Sequence, residues 1–276
     1  MATSSLRLGR PRRRGTDSPG ASNLLTLARS SADPGTSRPT RARRAAYTAL
    51  LLAPLVITLL TWCAFLPTDP DYGWHLRTGQ LIAEQHAVPR TDPFSFTATG
   101  NAWNDHEWLT ELGMFVLQQQ VGYVANVLAF GALMALTGLV MFRTCRVWGV
   151  GELTSIALVL WAFGMSLPSA GVRPQTITRL LLAVTALVLT IYLRGGSRRW
   201  LWVLPPLFAL WSNLHGGFVI GLGLLGLSVL GQVSLGLTRR GAPSDASRSW
   251  APLILVTLAC IAASVVNPQG PQALLY

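Results

Sequence analysis

The sequence predicts an all-α protein: a polytopic bundle of transmembrane helices with about seven spans and a long first extracytoplasmic loop that contains short or amphipathic helices. Half of the 276 residues are apolar and only 12% are charged, whereas a soluble domain has about 25% charged residues. Several apolar stretches approach or exceed about 18 residues, the length that a helix needs to cross ~30 Å of hydrocarbon. Arginine-rich segments separate these stretches, so the chain is predicted to cross a membrane repeatedly.

An arginine-rich arm, residues 1–44, is predicted to precede the first span. It is rich in Arg, Ser, Pro and Gly and has little apolar periodicity, so we expect it to be disordered, because it cannot bury enough surface to fold. The arm carries ten of the 22 basic residues, and most of the others flank apolar stretches, as on the cytoplasmic side of membrane proteins. The charge of +11 therefore indicates a cytoplasmic N-terminus at the cell membrane and contact with membrane lipid, and no nucleic-acid partner.

The transmembrane core is predicted over residues 45–276. Its first span, 45–66, follows arginines and is expected to run outward. The first outer loop then covers 67–106. The helical spacing of apolar residues in 107–121 is typical of an amphipathic helix at the membrane interface. The second span, 123–142, ends at arginines and returns the chain to the cytoplasm.

Further crossings are predicted from the apolar stretches of the second half. An outward span at 153–167 and an inward span at 177–193 enclose a short outer loop. The stretch 200–238 has arginine pairs at both ends, so it must leave and return, and its polar turn "WSNLHGG" at 211–217 is the predicted reversal point. A final span at 250–266 leads outward, which brings the total to about seven.

This topology places most polar side chains on the outer face. Seven of the eleven acidic residues and three of the four histidines lie between 69 and 111. Glu84, Asp92 and Glu111 are interpreted as solvated loop charges. The others suggest an outward-facing site, because polar groups near a membrane usually line a cavity. The candidate residues are Asp69, Asp71, His75, Asp105, His106, Glu107, Arg173, Gln175 and His215.

The candidate residues allow more than one chemistry. Asp71 and His75 are four apart, so on a helix they form either an acid–base couple or an ion pair. Arg173 is suited to bind phosphate, and equally to pair with a loop acid. A divalent metal on Asp71, His75, His106 and Glu107 has suitable oxygen and nitrogen donors but no recognisable motif. We therefore predict no tightly bound cofactor and leave such a metal open.

Other signatures are absent from the sequence. It contains no G-x-S-x-G motif, no P-loop and no dinucleotide-binding fingerprint. The three cysteines are far apart and lack the spacing of a zinc site or a disulfide framework. Residues 216–236 are rich in glycine, which indicates close helix packing.

Short motifs along the predicted core resemble one family. The first outer loop contains "DPDYGWHLRTGQLI" and "RTDPFSFTATGNAWNDHEWLTEL", and "RPQ", "NLHGG" and "NPQG" follow in later outer segments. Together they resemble bacterial polytopic proteins grouped with the type C glycosyltransferase superfamily. The resemblance implies a polyprenyl-phosphate-linked sugar donor and transfer at the extracytoplasmic face. It also implies that Asp69 or Asp71 is the catalytic base and that His75, Arg173 or His215 binds the departing phosphate.

Two other functions remain open at this point. A lipid or small-solute transporter or flippase would place ionisable groups near the middle of the membrane, and a membrane protein without catalytic activity would tolerate replacement of the outer acids. Members of the superfamily usually continue with more spans or a C-terminal domain, whereas this sequence stops at "NPQGPQALLY". Either the sequence is the seven-span core alone, or, as we expect, it is C-terminally truncated, in which case it is a relic if it is inactive.

Overall fold

The computed structural model describes residues 70–166, 171–238 and 250–275 and a few positions between 42 and 57. Within these residues the fold is all-helical: eight α-helices and two 3₁₀-helices are present. The one strand-like pairing among them is an isolated bridge between Thr91 and Ala102. The predicted all-α fold class is therefore confirmed.

The helices follow the predicted order along the chain. The α-helices are α1 (Tyr72–Gln85), α2 (Trp108–Gln120), α3 (Tyr123–Val147), α4 (Glu152–Met165), α5 (Gln175–Leu193), α6 (Leu204–Leu214), α7 (Phe218–Thr238) and α8 (Ala251–Ala263), and the 3₁₀-helices are Arg198–Val203 and Gly270–Leu275. The first predicted outer loop thus contains a helix of 14 residues, α1. The predicted reversal at 211–217 coincides with the break between α6 and α7.

Local sequence accounts for several helix ends. Gly122, which separates α2 from α3, has φ of 96°, a conformation that glycine adopts without steric cost. Two prolines occupy the first turn of α6, where their missing N–H groups have no intrahelical acceptor in any case. His215 ends α6 in an extended conformation with φ −170° and ψ 143°, which starts the turn into α7.

Three helices of the described chain, α3, α5 and α7, are long and apolar enough to cross a membrane. The predicted spans at α4 and α8 are apolar but contain only 14 and 13 residues. At 1.5 Å per residue these helices are about 20 Å long, short of ~30 Å of hydrocarbon. Seven spans are therefore not confirmed, and the predicted first span, 45–66, lies mostly outside the described residues.

The contacts divide the chain after Ala45, and every helix named above belongs to the second unit, Ala46–Tyr276. The predicted arm, 1–44, lies outside the described residues apart from position 42. The second unit has two clusters of buried apolar side chains. One includes Met134 of α3 and Val159 of α4, and the other includes Tyr192 of α5 and Trp211 of α6.

Polar contacts fix the start of α2 against the end of α6. The indole N–H of Trp108 donates to Asn213 Oδ1 at 3.0 Å, and the hydroxyl of Thr110 donates to the carbonyl of Leu214 at 2.6 Å. Asn213 also donates from Nδ2 to the carbonyl of Val266, after α8, at 2.6 Å. These bonds join segments more than 50 residues apart in sequence and bring the α6–α7 turn to the loop before α2.

Candidate functional site

A cavity of about 390 Å³ lies between α1 and the segment that leads into α2. Its walls combine acids, histidines and indoles, namely Asp71, Trp74, His75, Trp103, Asn104, Asp105, His106, Glu107, Glu111 and Gln175. Six of the predicted candidates are in this set. His215 lies beside it, in a second cavity of about 180 Å³ that His106 also lines.

His75 is buried at the crossing of α1 and α2. Its Nδ1 atom lies 2.8 Å from Glu111 Oε1 and 3.6 Å from Glu107 Oε2. The two helices approach closely because residue 79, one turn after His75, is glycine. A Cβ atom at Gly79 would lie 2.8 Å from Cβ of Phe115 and would collide with the Glu111 carbonyl.

Glu107 contacts three histidines, His75, His106 and His215, and forms the histidine cluster with them. Its Oε1 atom lies 3.2 Å from Nε2 of His106 and 3.3 Å from Nε2 of His215, while Oε2 faces His75. Burial by itself would raise the pKa of Glu107, but the hydrogen bond from His106 and the neighbouring His215 and His75 outweigh burial and lower it. Glu107 is therefore the carboxylate of this cluster that remains ionised.

The contacts of His215 determine which of its ring nitrogens carries the proton. Its Nδ1 atom accepts the backbone N–H of Gly217 at 2.8 Å and lies 2.8 Å from Thr178 Oγ1. Because Nδ1 accepts the Gly217 N–H, it carries no proton, and the Thr178 hydroxyl, whose oxygen accepts the indole N–H of Trp211 at 2.9 Å, donates to it. The proton of the ring is therefore on Nε2, which lies 3.3 Å from Glu107 Oε1. Burial lowers the pKa of His215, consistent with a neutral ring.

The pKa of His106 is shifted in the opposite direction from that of His215. The hydrogen bond to Glu107 raises the pKa of His106, against the opposing effect of burial. The ring also stands edge-on to that of His215, with 5.9 Å between centroids, and a Cβ atom at Gly216 would lie 2.8 Å from His106 Cδ2. The first glycine of "NLHGG" is thus needed for this close contact, and the turn is more than a solvated loop.

Asp105 and Glu111 add two buried carboxyl groups. Asp105 Oδ2 and Glu111 Oε2 are buried, and no donor group of the described residues reaches either oxygen. The two side chains are close enough to hydrogen-bond to each other when one of them carries a proton. Burial and the neighbouring Asp105 and Glu107 raise the pKa of Glu111 to about 10. Burial likewise raises the pKa of Asp105.

Three aromatic side chains form a platform at the cavity. The ring of Trp74 packs against Phe94 at 4.8 Å and against Trp103 at 5.3 Å between centroids. The loop that carries Phe94 is held by Asp92, whose Oδ1 accepts the backbone N–H groups of Phe94 and Ser95. Trp74 remains 39% exposed, so this aromatic platform has apolar surface available to a ligand.

The remaining predicted site residues lie in different places. Asp69 is outside the described residues. Asp71 is exposed at the start of α1 and lines the cavity. Gln175 is also in the cavity wall, whereas Arg173, two residues earlier, is not.

Sequence reasoning missed three contributors to the site. Glu111 was interpreted as a solvated loop charge, and that interpretation is wrong. At the crossing of α1 and α2 its side chain is only 2% exposed and faces His75. Its spacing of four from Glu107 places both on one face of a helix, which was the available signal. No such signal in the sequence marks Thr178 and Trp211, which lie 37 and 4 residues before His215. Their part in the site is recognised from the hydrogen bonds that link them to each other and to His215.

Together, the fold and the site define a class: over the described residues, the protein is all-helical, has apolar helices long enough to cross a membrane, and has a buried histidine–carboxylate cluster beside a cavity. No particular family can be added to that class from known proteins, because no family model, no curated protein and no solved structure matches the chain.

Proposed function

We propose that this is an integral membrane enzyme of the glycosyltransferase type, which transfers a sugar from a polyprenyl-phosphate donor to an acceptor hydroxyl at the extracytoplasmic face. The observation that carries the proposal is the position of Asp71. Its exposed carboxylate lines a cavity of about 390 Å³ next to the indoles of Trp74 and Trp103. An acid beside an aromatic surface suits a sugar, because the C–H face of a pyranose packs on an aromatic ring.

In the proposed reaction Asp71 is the general base. It takes the proton of the acceptor hydroxyl as the hydroxyl oxygen attacks the anomeric carbon of the donor. The bond between that carbon and the phosphate oxygen breaks, and the polyprenyl phosphate leaves with the bonding electron pair. General-base assistance of this kind contributes about 10²–10⁴-fold to a rate. Asp69, two residues earlier, is the alternative base.

The departing phosphate needs cationic or hydrogen-bond donors. His106 is one candidate, because its raised pKa favours the imidazolium form and its ring lines the cavity. Arg173 is another candidate. It does not line the cavity itself, but Gln175, two residues later in the same short segment, does. A guanidinium is permanently charged and can hold two phosphate oxygens at once.

Distribution of charge favours an enzyme over a transporter. A transporter is expected to hold ionisable groups near the bilayer midplane. Helices α3, α5 and α7 contain no acidic residue, and their arginines, Arg143, Arg146 and Arg179, each lie within four residues of a helix end. The ionisable groups of the site instead lie on α1, on α2 and in the turns, which supports chemistry at the membrane surface. Seven spans and a cytoplasmic N-terminus are part of this proposal.

The test is transfer of labelled sugar from polyprenyl-phosphate donors in membranes that contain the protein. Asp71→Asn is expected to lower the transfer rate at least about 10²-fold, with expression unchanged. Glu84→Gln is the matched control, because Glu84 is an exposed acid of α1 and does not line the cavity. If Asp69→Asn abolishes transfer and Asp71→Asn does not, Asp69 is the general base. If the wild-type protein transfers no sugar from any donor of a broad panel, the proposal is wrong.

A further inference from the structure

We propose that His75, Glu107 and Glu111 form a binding site for a divalent transition-metal ion such as Zn²⁺ or Mn²⁺. Each residue offers one ligand atom, His75 Nδ1 and one oxygen of each carboxylate, and these atoms all lie within 4.8 Å of one another. All three residues are less than 9% exposed. The proposal does not depend on sugar transfer, because it concerns the occupant of the cluster and not the reaction.

The distances between the ligand atoms suit one small cation. Two ligands about 2.1 Å from a tetrahedral metal ion are about 3.4 Å apart. The separation of 3.6 Å between His75 Nδ1 and Glu107 Oε2 matches this value. The separation of 2.8 Å between Nδ1 and Glu111 Oε1 is shorter, and metal entry would replace that hydrogen bond by opening the pair by about 0.6 Å.

A second, independent observation also indicates a cation at this position. Glu111 Oε2 and Asp105 Oδ2 are buried without a donor from the described residues, and their side chains line the same cavity. Both residues are at least nine-tenths buried, at 2% and 3% exposure. Buried carboxylate oxygens that find no donor are suitable metal ligands, because a cation supplies the missing partner. A proton shared between Asp105 and Glu111 is the competing explanation, which the experiment below tests.

The contacts around the three residues are those expected of a metal site. Carboxylate ligands are usually oriented by further polar contacts, and Nε2 of His215 makes such a contact with Glu107 Oε1 at 3.3 Å. That contact leaves Oε2 directed at His75. His215 is a positioning residue and not a ligand, because its Nδ1 accepts the Gly217 N–H and its Nε2 therefore carries the proton.

The ligand set also limits which ions fit. One imidazole with carboxylates suits Zn²⁺, Mn²⁺ or Fe²⁺, whereas Mg²⁺ and Ca²⁺ prefer oxygen ligands alone. No thiolate takes part, since the described cysteines Cys145 and Cys260 are not in the cavity wall. Three protein ligands leave a coordination position for water or substrate on the cavity side, as in catalytic metal sites.

The experiment measures bound metal directly. The purified full chain in detergent is stripped with a chelator and dialysed against Zn²⁺ or Mn²⁺, and the ion-to-protein ratio is determined by elemental analysis. We expect one ion per chain. Glu111→Gln and His75→Gln should each weaken binding at least about tenfold. The matched control is the double variant Glu84→Gln/His86→Gln, which removes an exposed acid and histidine at the end of α1 and should bind as the wild type does.

The outcomes are distinct even if a site variant folds poorly. Co²⁺ added to the stripped wild-type protein should give visible absorption bands of a nitrogen–oxygen site, and metal should raise the unfolding temperature of the wild type and of the Glu84/His86 control. A wild-type chain that binds no ion overturns the proposal and leaves the shared proton as the explanation. Binding that disappears only in the Glu84/His86 control shows an adventitious surface ion, which also overturns it.

Discussion

Nε2 of the His215 imidazole lies 3.3 Å from Glu107 Oε1, although the two residues are 108 positions apart in the sequence. This contact joins the turn between α6 and α7 to the residue immediately before α2. Nε2 carries the proton of the ring, because Nδ1 accepts the Gly217 N–H. The orientation of the central carboxylate therefore depends on a turn in the second half of the chain.

The first prediction concerns the hydroxyl of Thr178. In Thr178→Val the buried indole N–H of Trp211 loses its acceptor and His215 Nδ1 loses a donor. A buried donor left unsatisfied costs about 1–3 kcal/mol, so the free energy of unfolding should fall by that amount. Chemical unfolding in detergent measures the change. Thr185→Val is the control on the same helix, because the Thr185 hydroxyl donates to the carbonyl of Leu181 within that helix. Equal losses in both variants would contradict the predicted link to His215.

The second prediction concerns the crossing of α1 and α2. Gly79→Ala places a methyl group 2.8 Å from Phe115 Cβ and against the Glu111 backbone, so the helices must separate. Overpacking of this kind costs about 1–3 kcal/mol, and the shift should also lengthen the contact between His75 and Glu111. Thermal unfolding and the metal titration described above detect the two effects. Gly73→Ala is the control, since no side chain and no other segment of the described residues, apart from the adjacent residues, lies within 4 Å of a Cβ at that position; it should be neutral or slightly stabilising.

The third prediction is a pH dependence of stability in the metal-free protein. The pKa of Glu111 is raised from 4.5 to about 10 on folding, so between these values the folded state binds more protons than the unfolded state. Its contribution is fully present below the unfolded pKa, and stability falls as pH rises towards 10, by at most about 1.4 kcal/mol per pH unit.

Unfolding of the chelator-treated protein at several pH values measures this slope. Glu111→Gln removes the titrating group and should flatten the slope. Glu84→Gln removes an exposed acid of α1 and should retain the wild-type slope. A wild-type slope that survives in Glu111→Gln would assign the effect to another group.

The fourth prediction concerns the aromatic platform, and it applies to the proposed transferase. Trp103→Ala removes one face of the ring cluster formed with Trp74 and Phe94. An aromatic contact is worth about 0.5–1.5 kcal/mol, so KM should rise about 2- to 12-fold. Little change in kcat is expected, because the indole binds substrate without entering the chemical step. Steady-state kinetics separate these terms, with Trp202→Ala as a control indole outside the cavity. A fall in kcat at unchanged KM would argue against a binding platform.

Elements with strong local patterns were predictable from the sequence. The helix expected over 107–121 is observed as Trp108–Gln120, and the polar turn expected at 211–217 separates α6 from α7. Apolar periodicity and turn residues act over a few positions, so a single sequence carries them. The number of membrane spans was harder to predict from the sequence, because helices α4 and α8 are shorter than their apolar stretches suggest.

What the sequence by itself determined is that this protein is helical, that several of its helices are apolar, and that its acids and histidines are concentrated between 69 and 111. The tertiary structure alone decided which of these groups meet. Glu111 belongs to the buried cluster because Gly79 lets two helices approach, and His215 joins it through bonds between segments 104 and 105 residues apart. The charge of each carboxyl group, the tautomer of each histidine and the capacity of the cluster to bind a metal depend on such long-range contacts. The reason is that burial and neighbouring charges set the electrostatic environment of each group.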